Sequence, residues 1–157
     1  MSKINYYQHF PEAINKFGEV EELIKKSSID KKLIHLVKLR ASQINGCAFC
    51  IDMHSKEAKI DGERELKLYH LTAWDESPLF TDAEKAALEW TEAVTKLNNK
   101  LQTDKAFDRL RSFYSEKEVT ELTVMIAMIN VWNRFAVPFH SVPGSLDKAY
   151  GLDKAGL

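Results

Sequence analysis

The chain has 157 residues but only two cysteines, four prolines and six glycines, and it carries no excess of either charge. Each scarcity removes an explanation. Two cysteines separated by two residues close too small a loop to staple an extracellular domain, so a reactive or metal-binding pair fits better. No window nears the roughly 20 apolar residues of a membrane span, and the opening MSKINYYQHF lacks a basic stretch followed by an apolar run. A cytoplasmic protein is expected. With 22 basic against 23 acidic residues, the formal net charge of -1 leaves nothing to draw the chain onto nucleic acid or an anionic membrane. Hydrophobic residues at 45% and charged residues at 29% exclude a disordered chain and allow one domain with a real core over 1–157.

Strict alternation of apolar and polar residues is also missing, whereas apolar residues recur every three or four positions, which predicts an all-α bundle. Pro11 suits the first turn of a helix through Phe17, Val20 and Ile24. Asp30 is placed to cap a second helix carrying Leu33, Leu36, Val37, Arg40 and Ile44 along one stripe, stopped by Asn45-Gly46. A third runs from near Cys47 to Lys59 or Ile60, and a short helix spans 63–71. Ser77-Pro78 marks a loop over 74–80. Thr81-x-x-Glu84 and Ser115-x-x-Glu118 are capping boxes for helices to about Leu97 and over 119–135, with another helix between them capped by Thr103 or Asp104. The 119–135 segment is apolar around most of its circumference, so it should be central or shared with another subunit. The tail to Leu157 reads as surface.

The chemistry concentrates in Cys47, Cys50 and His54. On a helix of 3.6 residues per turn these share one face, with Cys50 and His54 at i and i+4 and the two cysteines one turn apart. Thiolate is the nucleophile, a helix N-terminus favours negative charge, and an imidazole can take or return the thiol proton. Asn45 is a candidate cap for the first-turn amides. Attack on a peroxide would give a sulfenic acid, which condenses with the second cysteine to a disulfide. Two rival readings exist: the cysteines as small buried hydrophobes, and zinc held by Cys47, Cys50 and His54 with a fourth ligand from His9, His35, His70 or His140. No second Cys-x-x-Cys supports zinc, and Ile51 stands where haem attachment needs histidine, so neither metal nor cofactor is expected. Trp74, Phe80 and Trp90 read as core, Arg134 as a structural ion pair, and Lys25-Lys26 and Lys31-Lys32 as solvated faces.

The run LRASQINGCAFCIDMHSKEA, Leu39 to Ala58, closely resembles the redox-active signature of the AhpD-like alkylhydroperoxidase branch of the carboxymuconolactone decarboxylase family, and the stretches LFTDAEKAALEWTEAVTKL and TELTVMIAMINVWNRF resemble its following segments. The resemblance implies an all-helical fold, a homo-oligomer (trimer or hexamer) built through long helices, and peroxidase or disulfide reductase activity on a small hydroperoxide, supported by a thiol or dithiol reductant. It implies that Cys50 attacks the peroxide, Cys47 resolves, and His54 relays protons. Two positions depart from the pattern. His35, in LIHLV, stands where the family's relay has an acidic residue, and Phe49 stands where it has a second histidine, so the relay is altered. The family's decarboxylase branch needs no cysteine pair, and the intact CAFC argues against that reaction. A different class of function is a redox sensor or interaction protein switched by the Cys47–Cys50 disulfide.

Overall fold

A computed structural model describes residues 2–156, and every regular element among them is helical. Short α1 (Tyr6–His9) leads into α2 (Pro11–Lys25), with Pro11 at its first position. The fold is built around α3 (Lys31–Ile44), which packs on α4 (Ala48–Ile60), α6 (Asp82–Lys96) and α8 (Glu116–Ala136). Because α3 is enclosed on several sides, its burial extends past the predicted stripe: besides Leu36 and Val37, Leu39 and Ala41 are essentially inaccessible, and Lys38 and Ser42 are buried too. Leu122, Met125, Ile126 and Ile129 of α8 complete the shared core. Each buried side chain of this size stabilises the fold by about 1.5–3 kcal/mol through transfer from water. As expected of its composition, α8 is central, touching α2, α3, α4, α6 and α7 (Lys100–Arg111).

Local chemistry sets the helix starts. The Asp30 carboxylate accepts from the amides of Lys32 (2.9 Å) and Leu33 (3.3 Å), and both capping boxes, Thr81/Glu84 and Ser115/Glu118, close reciprocally. The cap of α7 is Asn99, which accepts from the Gln102 amide; neither Thr103 nor Asp104 serves, and the Thr103 hydroxyl instead donates back to the Asn99 carbonyl within the helix. The predicted short helix divides into α5 (Glu65–His70) and a 3-10 turn, Leu71–Ala73. Trp74, Phe80 and Trp90 are core residues, as read from the sequence.

Two further expectations fail. The C-terminal segment is not a surface tail: it folds back through α9 (Asp147–Tyr150) and a 3-10 turn (Leu152–Ala155), which buries Leu152 and Ala155 and packs against α4. Arg134 makes no ion pair among the described residues; its guanidinium donates to the Asn130 carbonyl and side chain one turn back. Among the described residues, no helix is long and apolar enough to cross a membrane.

Candidate functional site

The α3–α4 junction explains how two thiols come to face each other. Gly46 adopts φ +65°, a left-handed conformation costly for any residue with a Cβ, and this reverses the chain between the two helices. The cap of α4 is then Cys47 itself: its sulfur accepts from the Cys50 amide at 3.4 Å. Cys47 therefore precedes the helix, unlike the in-helix placement expected from spacing. Asn45 does not cap α4, because its carboxamide donates instead to Asn130 (2.9 Å) and Asn133 (2.8 Å) of α8 and ties the turn to the bundle.

The sulfurs of Cys47 and Cys50 lie 2.7 Å apart, as a buried, unbridged dithiol. At that distance the two titrate as a pair. The hydrogen bond from the Cys50 thiol is the chief cause that brings Cys47 down to about 7; burial opposes it, and the Cys50 amide and the Asn133 side chain assist. The same bond, with burial and the Cys47 charge, pushes Cys50 upward. Of the two, Cys47 is the thiol that ionises first, and its thiolate is hydrogen-bonded by the Cys50 thiol. Access runs the other way: Cys50 lines the neighbouring cavity of about 310 Å³, together with Phe49, Met53, His54 and Trp132.

His54, one turn beyond Cys50 on α4, also lines that cavity, and its Nδ1 pairs with a Glu57 carboxylate oxygen at 2.7 Å. Glu57 in turn lies 3.6 Å from Nδ1 of His35, too long for a hydrogen bond, while His35 Nε2 pairs with Asp61 at 2.8 Å. Burial depresses His54 below the ordinary histidine range, against the pull of Glu57 and helped by nearby Lys38. Burial works the same way on His35, but the carboxylates of Glu57 and Asp61 outweigh it and raise this group. Burial would raise Glu57, yet the two imidazoles hold it well below the usual carboxylate range. The two histidines are thus pushed in opposite directions, His35 toward the charged imidazolium and His54 toward the neutral imidazole. Glu57 selects the His54 tautomer with the proton on Nδ1, leaving Nε2 as the basic nitrogen.

Of the four residues singled out in the sequence, Cys47 and Cys50 meet at their sulfurs, Cys50 and His54 line one cavity, and His35 approaches His54 only by way of Glu57. The structure also exposes three that were missed. Glu57 supplies from α4 a carboxylate that faces both His54 and His35. The i, i+3 spacing of His54 and Glu57 was its only sequence signal. Asn133 and Ser42, joined to each other at 3.2 Å, sit against the thiols, and nothing in their spacing announced them. His70 is engaged elsewhere, with Ser77.

Comparison with known proteins gives this arrangement a setting. The Bacillus subtilis protein YdfG, itself uncharacterized, is 40% identical over 135 residues, covering 86% of this chain and 92% of that protein. A crystal structure from Agrobacterium tumefaciens, of a protein of unknown function for which a role as the antioxidant defence protein AhpD has been suggested, superposes with a TM-score of 0.86 at 44% identity, over 91% of this chain and 98% of that one. An uncharacterized peroxidase-related protein from Ralstonia eutropha, described as an alkylhydroperoxidase AhpD core, shares the fold at a TM-score of 0.76 and 16% identity, over 88% and 74% of the two chains. The fold is AhpD-like. With residues 8–93 matching the model of the Carboxymuconolactone decarboxylase family and the helical frame shared throughout, the chain belongs to that family.

Proposed function

We propose that the protein is a thiol-dependent peroxidase that reduces a small organic hydroperoxide through Cys50, Cys47 and His54 and is recycled by an external dithiol. The observation that carries this reading is the 2.7 Å dithiol beside a cavity that also holds a neutral, oriented imidazole. His54 Nε2 accepts the Cys50 proton, directly or through a water in the cavity; unliganded sites commonly tighten such contacts only when substrate binds. The Cys50 thiolate attacks the terminal peroxide oxygen, the O–O bond breaks, and the imidazolium returns its proton to the departing alkoxide, giving an alcohol and a Cys50 sulfenic acid. The Cys47 thiolate, already deprotonated at the helix start, attacks the Cys50 sulfur and expels hydroxide, which is protonated to water. An incoming dithiol then reduces the Cys47–Cys50 disulfide by exchange.

In this assignment Cys50 is the attacking residue because it meets the cavity, and Cys47 resolves because its low pKa keeps it ready. Asp61 holds His35 beside Glu57, and Glu57 orients His54. Assembly as a homo-oligomer, trimer or hexamer, belongs to the same proposal; Val124, 41% exposed on the outer side of α8, is apolar surface available to it. The test is steady-state turnover of an alkyl hydroperoxide with a dithiol reductant. Activity that disappears in Cys50→Ser supports the reading. Oxidation of the pair without turnover identifies a redox sensor instead.

A further inference from the structure

Between α3 and α4, three metal-competent side chains converge where the dithiol chemistry uses only one of their ring nitrogens. Donor atoms of His35, His54 and Glu57 all lie within 4.8 Å of one another. Two of the pairs meet at Glu57 Oε2: His54 Nδ1 at 2.7 Å and His35 Nδ1 at 3.6 Å. Bonds of about 2.0–2.2 Å from a divalent ion to nitrogen and oxygen require donor separations of about 3 Å, so modest side-chain rotations would close these three around one centre. His35 Nδ1 is buried and makes no hydrogen bond. Its other nitrogen is fixed by Asp61 at 2.8 Å, the arrangement in which a carboxylate behind a histidine presents the opposite nitrogen to a metal.

The surrounding charge is favourable. Lys38 is paired with Glu21 at 2.5 Å, and among the described residues no lysine or arginine makes an ion pair with Glu57 or Asp61, so these carboxylates face imidazoles, which give up their protons on taking an ion. Glu57 and His54 border the cavity, which gives an ion a way in and leaves a coordination position for water. Two imidazoles and one carboxylate suit borderline ions such as Zn²⁺, Co²⁺ or Fe²⁺ rather than Mg²⁺ or Ca²⁺.

We propose that His35, His54 and Glu57 form a binding site for a divalent transition-metal ion, with Asp61 as its outer carboxylate and without either cysteine sulfur as ligand. A consequence, resting on the peroxidase reading above, is that the ion occupies His54 Nδ1, breaks the bond to Glu57 and silences the proton relay, so the filled site is an inhibited state.

Co²⁺ titration of the double variant Cys47→Ser/Cys50→Ser, followed by calorimetry and absorption, tests the site without any thiol. The expected result is one saturable Co²⁺ per chain, with ligand-field bands but no thiolate charge-transfer band, displaced by Zn²⁺. Glu57→Gln, nearly isosteric, and His35→Asn in the same background should weaken binding at least tenfold, and Asp61→Asn about 10–100-fold. Far-UV circular dichroism and Tm of each metal-free variant establish that it is folded. No saturable uptake by the double variant, or uptake indifferent to a folded Glu57→Gln, overturns the site. In the wild-type protein, Zn²⁺ should suppress hydroperoxide turnover, with the half-inhibiting concentration at least tenfold higher in Asp61→Asn; an unshifted value overturns the inhibitory role. Metal binding by a protein that never turns over hydroperoxide supports the site and defeats the peroxidase reading, so the two fail separately.

Discussion

The two thiols differ in acidity because the hydrogen bond between them and the amides at the start of α4 stabilise a Cys47 thiolate, whereas the same bond and burial hold the proton on Cys50. Removing the Cys50 thiol removes the first cause of the Cys47 shift, so in Cys50→Ala the remaining Cys47 should titrate above about 7. In Cys47→Ala, Cys50 should fall from its raised value, since both the bond and the neighbouring charge are gone. Alkylation across pH with mass detection of each cysteine measures both; opposite shifts would reverse the assignment. The histidines make a second prediction, read from thermal unfolding in the Cys47→Ser/Cys50→Ser background with a chelator present. His35, raised in the folded state, adds stability that is fully present below its unfolded pKa of about 6.5 and is lost as pH rises through its folded value. His54, lowered, costs stability as pH falls below about 6.5. Stability should therefore pass through a maximum near pH 6.5, and His35→Asn should lose the rise on the way down from pH 8. The sulfurs and His54 were legible in the sequence because three- and four-residue spacing is local. Glu57 was not, because its meaning comes from His35 on another helix, and i, i+3 charged pairs are common on solvated faces.

Most helix starts were legible where a side chain caps its own helix: Asp30, Thr81 and Ser115 all act within three residues, while the Asn99 cap of α7 was passed over because Asn98-Asn99 also reads as the end of the helix before it. Asp30→Ala should cost about 1 kcal/mol, measured by denaturant unfolding. The turn that matters for chemistry is Gly46. A Cβ there meets no other atom within 4 Å, so the penalty of Gly46→Ala is conformational, about 1–2 kcal/mol, and the thiol pair should loosen with it. A variant as stable as the wild type, with Cys47 still titrating near 7, would show that the left-handed turn does not position the sulfur. Asn45 escaped the sequence reading for a related reason: an asparagine beside a helix start looks like a cap, and only the approach of α8 gives its carboxamide better partners in Asn130 and Asn133.

The whole molecule adds what no single helix holds. The cavity beside Cys50 is walled by Tyr6 near one end of the chain, Tyr150 near the other, and Trp132 of α8, so it exists only after both ends have folded onto the bundle. The C-terminal return was illegible because Leu152 and Ala155 form no periodic pattern of their own; only a docking surface on α4 gives them somewhere to go. Leu152→Ala should cost about 2–5 kcal/mol in unfolding experiments. If the cavity seats the organic part of a hydroperoxide, Tyr150→Ala should raise KM for a bulky hydroperoxide about tenfold, or ~1.4 kcal/mol, and leave hydrogen peroxide reduction unchanged.

The central claim, a dithiol operated by His54, is tested most directly by rapid mixing of reduced protein with one equivalent of an organic hydroperoxide, with thiols and products counted in a single turnover. The account predicts loss of two thiols, one alcohol, a Cys47–Cys50 disulfide, and a rate about 10²–10⁴-fold lower in a folded His54→Ala variant. Oxidation equally fast without the imidazole, or products other than that disulfide, would contradict it.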